Sequence, residues 1–458
     1  MSFSTRIHRR STWALCAVTL VVAALTLGAT TRAADSGSAQ GVTKDSIKVG
    51  IAIIDYNSIK DFVDYNHGDQ QKVAQTFIDY INNNGGVDGR KIIPVYKTYP
   101  PIPGGQPDPL SLCTSWSEDD KVFAVLGVFI DMTGQGPLCL TKEHKVIHIG
   151  HELEQTWIDQ SPGGLMLTPD QTKEEAATVL LNLLNTTGRL KGKTVAVLGD
   201  KTSEERVNTV IVPTLKKDKV KTGSTAVLTI TGTDTTAAQA QLDSFIEKWK
   251  SENVNAVFMA GLDVSSKQFA ETIKSAMPKA QLYTDADTTL QQGRDEVAAG
   301  KKPNPYEGLL SSTGQTDSER WANKNAVLQK CVDVYQKATG ETVPGPDQEV
   351  TNSDGKKVQT DIAVTDFCGE LFMFRDIADK VGPDLTVKNW QKTVDNFGPI
   401  TVAPDPIASL CKGKYTAEDG FRLVQFSSSA GTSGDWKLVT PIKDASNGKC
   451  AKAAKAGG

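Results

Sequence analysis

The chain has 458 residues and a formal net charge of −4. A chain of this length is too long for one ordinary hydrophobic core and indicates about two domains. A mildly acidic chain without a basic cluster argues against nucleic-acid binding.

The first 34 residues have the pattern of an export signal. Three arginines precede an apolar stretch at 13–27, and small residues stand around Ala33 and Ala34. The stretch is too short to span a membrane, and no later segment reaches that length. We expect cleavage near Ala33 or Ala34 and an exported protein, either in the periplasm or cell envelope or outside the cell. Losing four arginines and no acids changes the net charge to −8.

Six of the seven cysteines lie beyond this signal. An even number in an exported chain is typical of disulfides. No two of them have the C-x₂₋₄-C spacing of a metal knuckle, so we predict no metal site. Many pairings are possible, and pairing between sequence neighbours is the most economical. It gives Cys113–Cys139, Cys331–Cys368 and Cys411–Cys450.

Strand and helix patterns alternate along the chain, which predicts parallel sheets flanked by helices. The first set consists of strands at 47–54, 92–99, 122–128 and 146–150 with helices at 67–84, 110–118 and 136–142. The second set consists of helices at 171–184, 203–215, 237–249 and 265–276 with strands at 194–198, 225–230, 254–259 and 281–284. The last set consists of a strand at 308–312, helices at 321–338 and 360–381, and a hairpin over 421–426 and 436–439.

The run Tyr-Ile-Asn-Asn-Asn-Gly-Gly-Val-Asp-Gly-Arg-Lys at 80–91 follows the first predicted helix. Gly85 and Gly86 suit a helix end, where a positive φ favours glycine, and Gly89 allows a tight turn into the next strand. This βαβ opening resembles the start of type I periplasmic solute-binding proteins of ABC importers, the Leu/Ile/Val-binding family. The resemblance covers about residues 41–440. It implies an α/β fold of two Rossmann-like lobes joined by a multi-strand hinge.

The pattern and the resemblance together divide the chain. We expect the first part of lobe 1 at 41–165 and lobe 2 at 166–290. Residues 291–450 are expected to return to lobe 1, cross the hinge and form the C-terminal elements, before a flexible tail at 451–458. The resemblance also implies a disulfide in lobe 1, which the Cys113–Cys139 pair matches.

In such a fold the ligand lies between the lobes, at the carboxyl ends of the strands. After the first strand, Tyr56, Phe62 and Tyr65 would stack on a ligand or close over it, or alternatively cover the rim of the lobe. After the third strand, the family supplies a hydroxyl and backbone N–H groups to a ligand carboxylate. Thr133 and Gly134 would fill that role here.

After the fourth strand, His151 and Glu152 replace the small residues that the family's amino-acid binders carry. They suit a cationic, hydroxylated or amide-bearing ligand better than an α-amino acid. In lobe 2, Asp263 and Asp285 follow strands and would hold a ligand amine or hydroxyl, unless they cap the following helices. A metal site using His144, His148 and His151 is disfavoured, because their spacing suits a helix whereas a strand is predicted there.

The chain carries neither a G-x-S-x-G nor an H-E-x-x-H motif, and we assign no catalytic residue and no cofactor. We predict a monomeric binding protein that captures a small organic solute by hinge closure and delivers it to an ABC permease. The solute is expected to be amino-acid-like, or amide-bearing and polar. The alternatives are a ligand-sensing receptor subunit for a signalling partner and a secreted enzyme that reuses the fold.

Overall fold

The computed structural model describes most of the chain after the first 38 residues. It describes residues 39–59, 68–101, 105–127, 129, 131, 133–230, 235–262, 266–286, 289–322, 326–343, 349–351, 357–359, 364–402, 405, 407–431, 434–445 and 450. The predicted signal peptide and tail lie outside these residues, as do three predicted site residues, Phe62, Tyr65 and Asp263. Among the described helices, none has both the length and the apolar character needed to cross a membrane.

Lobe 1 is built on a five-stranded parallel sheet in the order β2-β1-β3-β4-β5. Its strands are β1 (Ser46–Ile54), β2 (Lys91–Tyr99), β3 (Ala124–Gly127), β4 (Ile147–Ile149) and β5 (Met166–Leu167). Its helices are α1 (Gln70–Asn83), α2 (Pro109–Thr114), α3 (Gln135–Leu138) and α4 (Gln155–Gln160). α1 buries Val73, Phe77 and Ile81 at helical spacing, which places its apolar face on the sheet.

Lobe 2 begins with α5 and is built on a second sheet, whose main path runs β16-β15-β10-β9-β8-β6-β7. Its first strands are β6 (Thr194–Asp200), β7 (Lys221–Leu228), β8 (Ala256–Met259), β9 (Gln281–Thr284) and β10 (Leu310–Thr313), all parallel. Its helices are α5 (Lys173–Thr186), α6 (Glu204–Arg206), α7 (Val212–Lys217), α8 (Thr236–Ser251), α9 (Ser266–Ala276) and α10 (Thr289–Ala298).

The C-terminal third of the chain contributes to both lobes. Its helices are α11 (Asp317–Ala322), α12 (Ala326–Thr339), α13 (Val364–Val381) and α14 (Val387–Asp395). Its strands are β11 (Glu349–Thr351), β12 (Lys357–Gln359), β13 (Gly398–Pro399), β14 (Ser409–Leu410), β15 (Gly420–Ser427), β16 (Asp435–Leu438) and β17 (Lys443–Asp444). Helices α12 to α14 pack in the core of lobe 1, whereas β15 pairs antiparallel with β10 and β16 in lobe 2.

Among the described elements, the chain passes between the lobes from β5 to α5, from β10 to α12 and from β14 to β15. Two of these connections are hydrogen-bonded to each other. Thr168 N donates to Tyr415 O at 3.1 Å, and Ala417 N donates to Thr168 O at 2.9 Å. Several adjacent connections of this kind form a hinge that permits rotation of one lobe against the other.

Three disulfides connect sequence-neighbouring cysteines: Cys113–Cys139, Cys331–Cys368 and Cys411–Cys450. The second joins α12 to α13 inside the core of lobe 1, where both cysteines are fully buried. It therefore fixes the helices that return to this lobe from the distant end of the sequence.

Candidate functional site

A cavity of about 320 Å³ lies at the carboxyl ends of the parallel strands of both sheets. Glu152 follows β4, Asp170 follows β5, Gly261 follows β8 and Asp285 follows β9, while Thr313 ends β10. Residues at this edge of a parallel α/β sheet face the crevice where ligands bind. The remaining lining residues are Gln171, Thr172, Lys173, Ala176, Arg206, Ala286, Leu290, Arg294, Ser311, Ser312, Arg320, Glu418 and Trp436.

On the lobe 1 side, His151 lies between two carboxylates. Its Nδ1 pairs with Asp170, and its Nε2 lies 3.1 Å from Oε1 of Glu370 on α13. The Glu370 side chain is completely buried, and its Oε2 accepts a hydrogen bond from Gly127 N at 2.5 Å. Burial opposes the charged imidazole, but Asp170 and Glu370 together raise the pKa of His151 well above its usual value. His151 is therefore a cation that pairs with two acids. The three residues come from the segment after β4, the segment after β5 and helix α13, so the pairing connects these three parts of the chain.

On the lobe 2 side, Arg206 is buried between two acids. Its Nη1 donates to Glu154 Oε1 at 3.1 Å, and its Nε lies 3.3 Å from Asp285 Oδ2. Asp285 Oδ1 in turn accepts from Gly261 N at 2.7 Å. Gly261 has a φ of +64°, and a Cβ there would stand 3.0 Å from the Arg206 guanidinium, so glycine leaves room for the arginine.

Two further acids, Glu418 and Asp405, lie beside each other, and Glu418 belongs to the connection between β14 and β15. Burial, with the nearby Asp170 carboxylate, raises the pKa of Asp405 to about 7. Burial and the Asp405 and Asp170 carboxylates raise the pKa of Glu418 well above its usual value. The positive charge of Arg320 partly offsets both effects. Both acids therefore hold a proton more tightly than a solvent-exposed carboxyl group does.

The loop after β3 is arranged differently from the expected carboxylate site. The carboxylate of Asp131 accepts from Thr133 N at 2.9 Å, from Thr133 Oγ1 at 2.7 Å and from Gly136 N at 2.7 Å. These are the hydroxyl and amide groups that a ligand carboxylate would need. Gly134 has a φ of +68° and packs against Trp157, where a Cβ would stand 2.5 Å from the ring. The chain thus supplies its own carboxylate to this position.

The predicted site residues are distributed unevenly around the cavity. Glu152 and Asp285 line it, and His151 contacts the lining residue Asp170. Tyr56 is half-buried in a 3₁₀ turn packed on lobe 1, and neither it nor Thr133 nor Gly134 is a lining residue. Whether any of these predicted site residues contacts a ligand is not tested by the geometry, so each ligand contact stays a prediction.

Sequence reasoning missed most of the charged wall. Asp170 could have been found, because it follows β5 at the start of a lobe crossing. Arg206 follows Glu204 and Glu205 at the start of a helix, where the helix dipole favours acidic residues, so its sequence neighbours do not indicate a buried cation. Arg294, Arg320 and Glu418 carried no local signal, since they reach the cavity from segments far apart in the sequence.

The histidines predicted not to form a metal site lie in separate environments. Burial lowers the pKa of His148 to about 4, and its Nδ1 lies 3.3 Å from Val125 O. Within the part of the chain that the structure describes, the one group of three potential ligand atoms that converge belongs to Cys113, Cys139 and His144. The two cysteines form a disulfide, so they offer no thiolate to a metal.

We expect the protein to be most stable at about pH 5 and to lose stability toward pH 8.5. The pKa values of Glu154, Glu370, Asp405 and Glu418 are raised, those of Glu154 and Asp405 to about 8 and about 7. Each acid therefore contributes stability that is present below its unfolded pKa and is lost as pH rises through its folded pKa. The contribution of His151 is lost in the same direction, above its unfolded pKa of about 6.5.

Thermal unfolding from pH 4 to 9 at constant ionic strength measures this effect. Asp170 acts in the opposite sense, because the His151 cation lowers its pKa against the effect of burial, so its contribution is lost only as pH falls through the acid range. Asp405→Asn removes one titrating group at similar shape and should flatten the decline. A melting temperature that rises from pH 5 to pH 8 would contradict this prediction.

Comparison with known proteins agrees with this architecture. The family model described as "Periplasmic binding protein" matches residues 65–352, more than half of the chain, and the chain belongs to that family. No curated protein matches the chain in sequence.

Solved structures with this fold include a solute-binding protein of an ABC transporter from Rhodopseudomonas palustris BisB5 in complex with 3,4-dihydroxybenzoic acid. It has 14% identity and a TM-score of 0.60, with 88% of this chain and 98% of the other covered. The leucine-, isoleucine-, valine-, threonine- and alanine-binding protein from Brucella ovis has 13% identity and a TM-score of 0.61, with 88% and 96% covered. A fatty acid ABC transporter substrate-binding protein from Thermomonospora curvata has 15% identity and a TM-score of 0.60, with 89% and 94% covered. The fold is therefore that of the two-lobed type I periplasmic binding proteins.

Proposed function

We propose that this protein is exported, captures a small polar organic solute in the cleft between its lobes and delivers it to an ABC permease. The observation that carries the proposal is the cavity at the strand ends of both lobes, whose wall holds four cationic and four acidic side chains. The cations are Lys173, Arg206, Arg294 and Arg320, and the acids are Glu152, Asp170, Asp285 and Glu418. A wall that contains both cationic and acidic side chains favours a zwitterionic, amide-bearing or polyhydroxylated ligand over an apolar chain.

The loop after β3 narrows the ligand class further. Because Asp131 already occupies the amide and hydroxyl donors of that loop, a second carboxylate there would meet a like charge. We therefore infer that any ligand carboxylate is bound by the cationic side chains of the wall instead. This favours a polar organic solute over an α-amino acid held in the manner of the family.

The mechanism that we propose requires no chemistry and no cofactor. A ligand that contacts both lobes only when they are closed shifts the protein toward the closed state by its difference in affinity for the two states. The protein would act as a monomer, and the permease would recognise the closed form. We expect genes for a permease and an ATPase beside this one, whereas a kinase gene there would favour the receptor alternative.

Thermal unfolding against a ligand panel tests the proposed function. The panel should contain amino acids, amides, polyols, sugars, aromatic acids and fatty acids. A bound ligand at 100 times its Kd is expected to stabilise the protein by roughly 2.7 kcal/mol. We expect binders among the polar compounds, and binding restricted to fatty acids would contradict the proposed ligand class.

A cavity-filling variant shows whether a stabilising compound binds in the cleft. Ala286→Phe adds a ring to the wall of the cavity and should abolish the stabilisation while cooperative unfolding persists. Ala298→Phe adds the same ring on an exposed part of α10 and should leave it unchanged. Equal stabilisation of both variants would place the ligand elsewhere.

A further inference from the structure

Arg206 lies at a contact between lobe 1 and lobe 2, which are built on different sheets. Glu154 directly precedes α4 and belongs to lobe 1, near the small apolar cluster of Leu153, Ile158 and Met166. Arg206 ends α6 in lobe 2, next to Val207, which packs on the second sheet. The contact between Arg206 Nη1 and Glu154 Oε1, at 3.1 Å, therefore crosses from one lobe to the other.

The second partner of Arg206 lies in the same lobe as the arginine. Asp285 directly follows β9 of the second sheet and stands 3.3 Å from Arg206 Nε. Asp285 is itself held by the Gly261 N–H at 2.7 Å, from the loop after β8. A rotation of the lobes at the hinge would break the contact with Glu154 and leave the contact with Asp285 intact.

We propose that Arg206 is a positioning residue that holds the cleft closed, with Glu154 as its detachable partner and Asp285 as its permanent support. The inference rests on the proposed function only in taking this cleft as the one that closes. Asp285 keeps the guanidinium in place when the lobes are apart, so little side-chain ordering is needed when they meet. The contact is nearly inaccessible to solvent, since only 3% of the Arg206 side chain is exposed, so salt screens it weakly.

The groups around Glu154 determine the pH range in which the contact between Glu154 and Arg206 is an ion pair. Burial raises the pKa of Glu154 to about 8, opposed by Arg206 and Lys173 and reinforced by Glu174 at the start of α5. Below that pH the contact is a hydrogen bond from Arg206 to a neutral acid, and above it both partners are charged. The closed state binds this proton more tightly than the open state, in which opening exposes the acid, so the closed fraction of the protein should fall as pH rises from 7 to 9.

The distance between the lobes tests the inference without a ligand. Nitroxide labels are attached through an encoded p-acetylphenylalanine at the exposed positions Lys91 in lobe 1 and Lys217 in lobe 2, which leaves the disulfides untouched. Double electron–electron resonance at pH 7 should show a larger open population in Glu154→Ala than in the parent chain. We expect the ratio of closed to open protein to fall about tenfold, because the acceptor of a buried hydrogen bond from Arg206 is lost.

Asp88→Asn is the matched control. Asp88 pairs with Arg90 at the same 3.1 Å distance, but both residues lie in lobe 1. This variant should keep the same distribution as the parent chain at both pH values, and Glu154→Ala should lose the change between pH 7 and pH 9. Equal distributions for Glu154→Ala and the parent chain at pH 7 would overturn the inference, and so would the same shift in Asp88→Asn.

Two further outcomes separate this inference from the proposed function. If the ligand panel yields no binder but Glu154→Ala opens the lobes, the proposed function fails and the role of Arg206 stands. If a binder is found and Glu154→Ala changes neither its dissociation rate nor the label distance, the role of Arg206 fails and the proposed function stands. Arg206 itself is a poor target for a first test, since its removal leaves the buried Asp285 without its cation.

Discussion

Replacing His151 by alanine is expected to lower the free energy of unfolding by about 3–5 kcal/mol at pH 7. The imidazole stands between Asp170 and Glu370, and the Glu370 side chain has no exposure to solvent. Removing the cation leaves Glu370 buried without its charge partner, and the hydrogen bond from Gly127 N is the one that it keeps among the described residues. Urea unfolding followed by circular dichroism measures the loss.

Two variants separate this effect from a general sensitivity to histidine loss. His144→Ala removes an imidazole that lies 3.7 Å from Glu118 and is partly exposed, so we expect a change below about 1 kcal/mol. Adding Glu370→Gln to His151→Ala removes the unpaired buried charge and should recover part of the loss. The loss should also become smaller as pH is lowered, because burial raises the pKa of Glu370 and a protonated acid leaves no unpaired buried charge. A loss below about 1 kcal/mol at pH 7 would refute the role that we give to this network.

Removing the Cys331–Cys368 disulfide by changing both residues to alanine is expected to cost about 4 kcal/mol. The bridge closes a loop with a sequence separation of 37, and opening it restores freedom to the unfolded chain. It also joins α12 to α13 within the buried core of lobe 1. Thermal unfolding of the oxidised parent and of the double variant measures the difference.

The Cys411–Cys450 pair offers a comparison at nearly equal loop length, with a sequence separation of 39. Chain entropy alone predicts the same loss for both bridges. Because only Cys331 and Cys368 belong to the apolar core of lobe 1, we expect the loss from that pair to be the larger. A larger loss from the Cys411–Cys450 pair would show that core packing adds nothing at α12 and α13.

The arrangement of acids around the cleft connects stability to function. Glu154, Glu370, Asp405 and Glu418 all hold protons more tightly in the folded chain than in the unfolded one. Acidic conditions therefore favour the fold, and they also favour the closed state, because Glu154 holds its proton more tightly when it is buried between the lobes. The two trends run in the same direction and can be measured separately, by thermal unfolding and by the label distance.

The sequence by itself determined the fold class and the two sets of alternating strands and helices. The reason is local: β1 is an apolar strand, α1 repeats buried residues at helical spacing, and the glycines at 85–89 end the helix and turn the chain. The antiparallel pair β15 and β16 was also predicted from its two apolar runs and the intervening turn. Such signals depend on residues a few positions apart, so they can be recognised in a single sequence.

Only the tertiary structure decided the composition of the cleft. Arg206, Arg320 and Glu418 come from three distant segments, and nothing near them in sequence indicates that they share one cavity. The hydrogen bonds from Thr133 and Gly136 to the Asp131 carboxylate also depend on side-chain geometry, because these donors could equally have bound a ligand carboxylate. Strand and helix periodicity specify which face of an element is buried, whereas charge partners across a hinge are specified by how whole lobes meet. That is why the fold was predictable from this chain and the charged wall of its cleft was not.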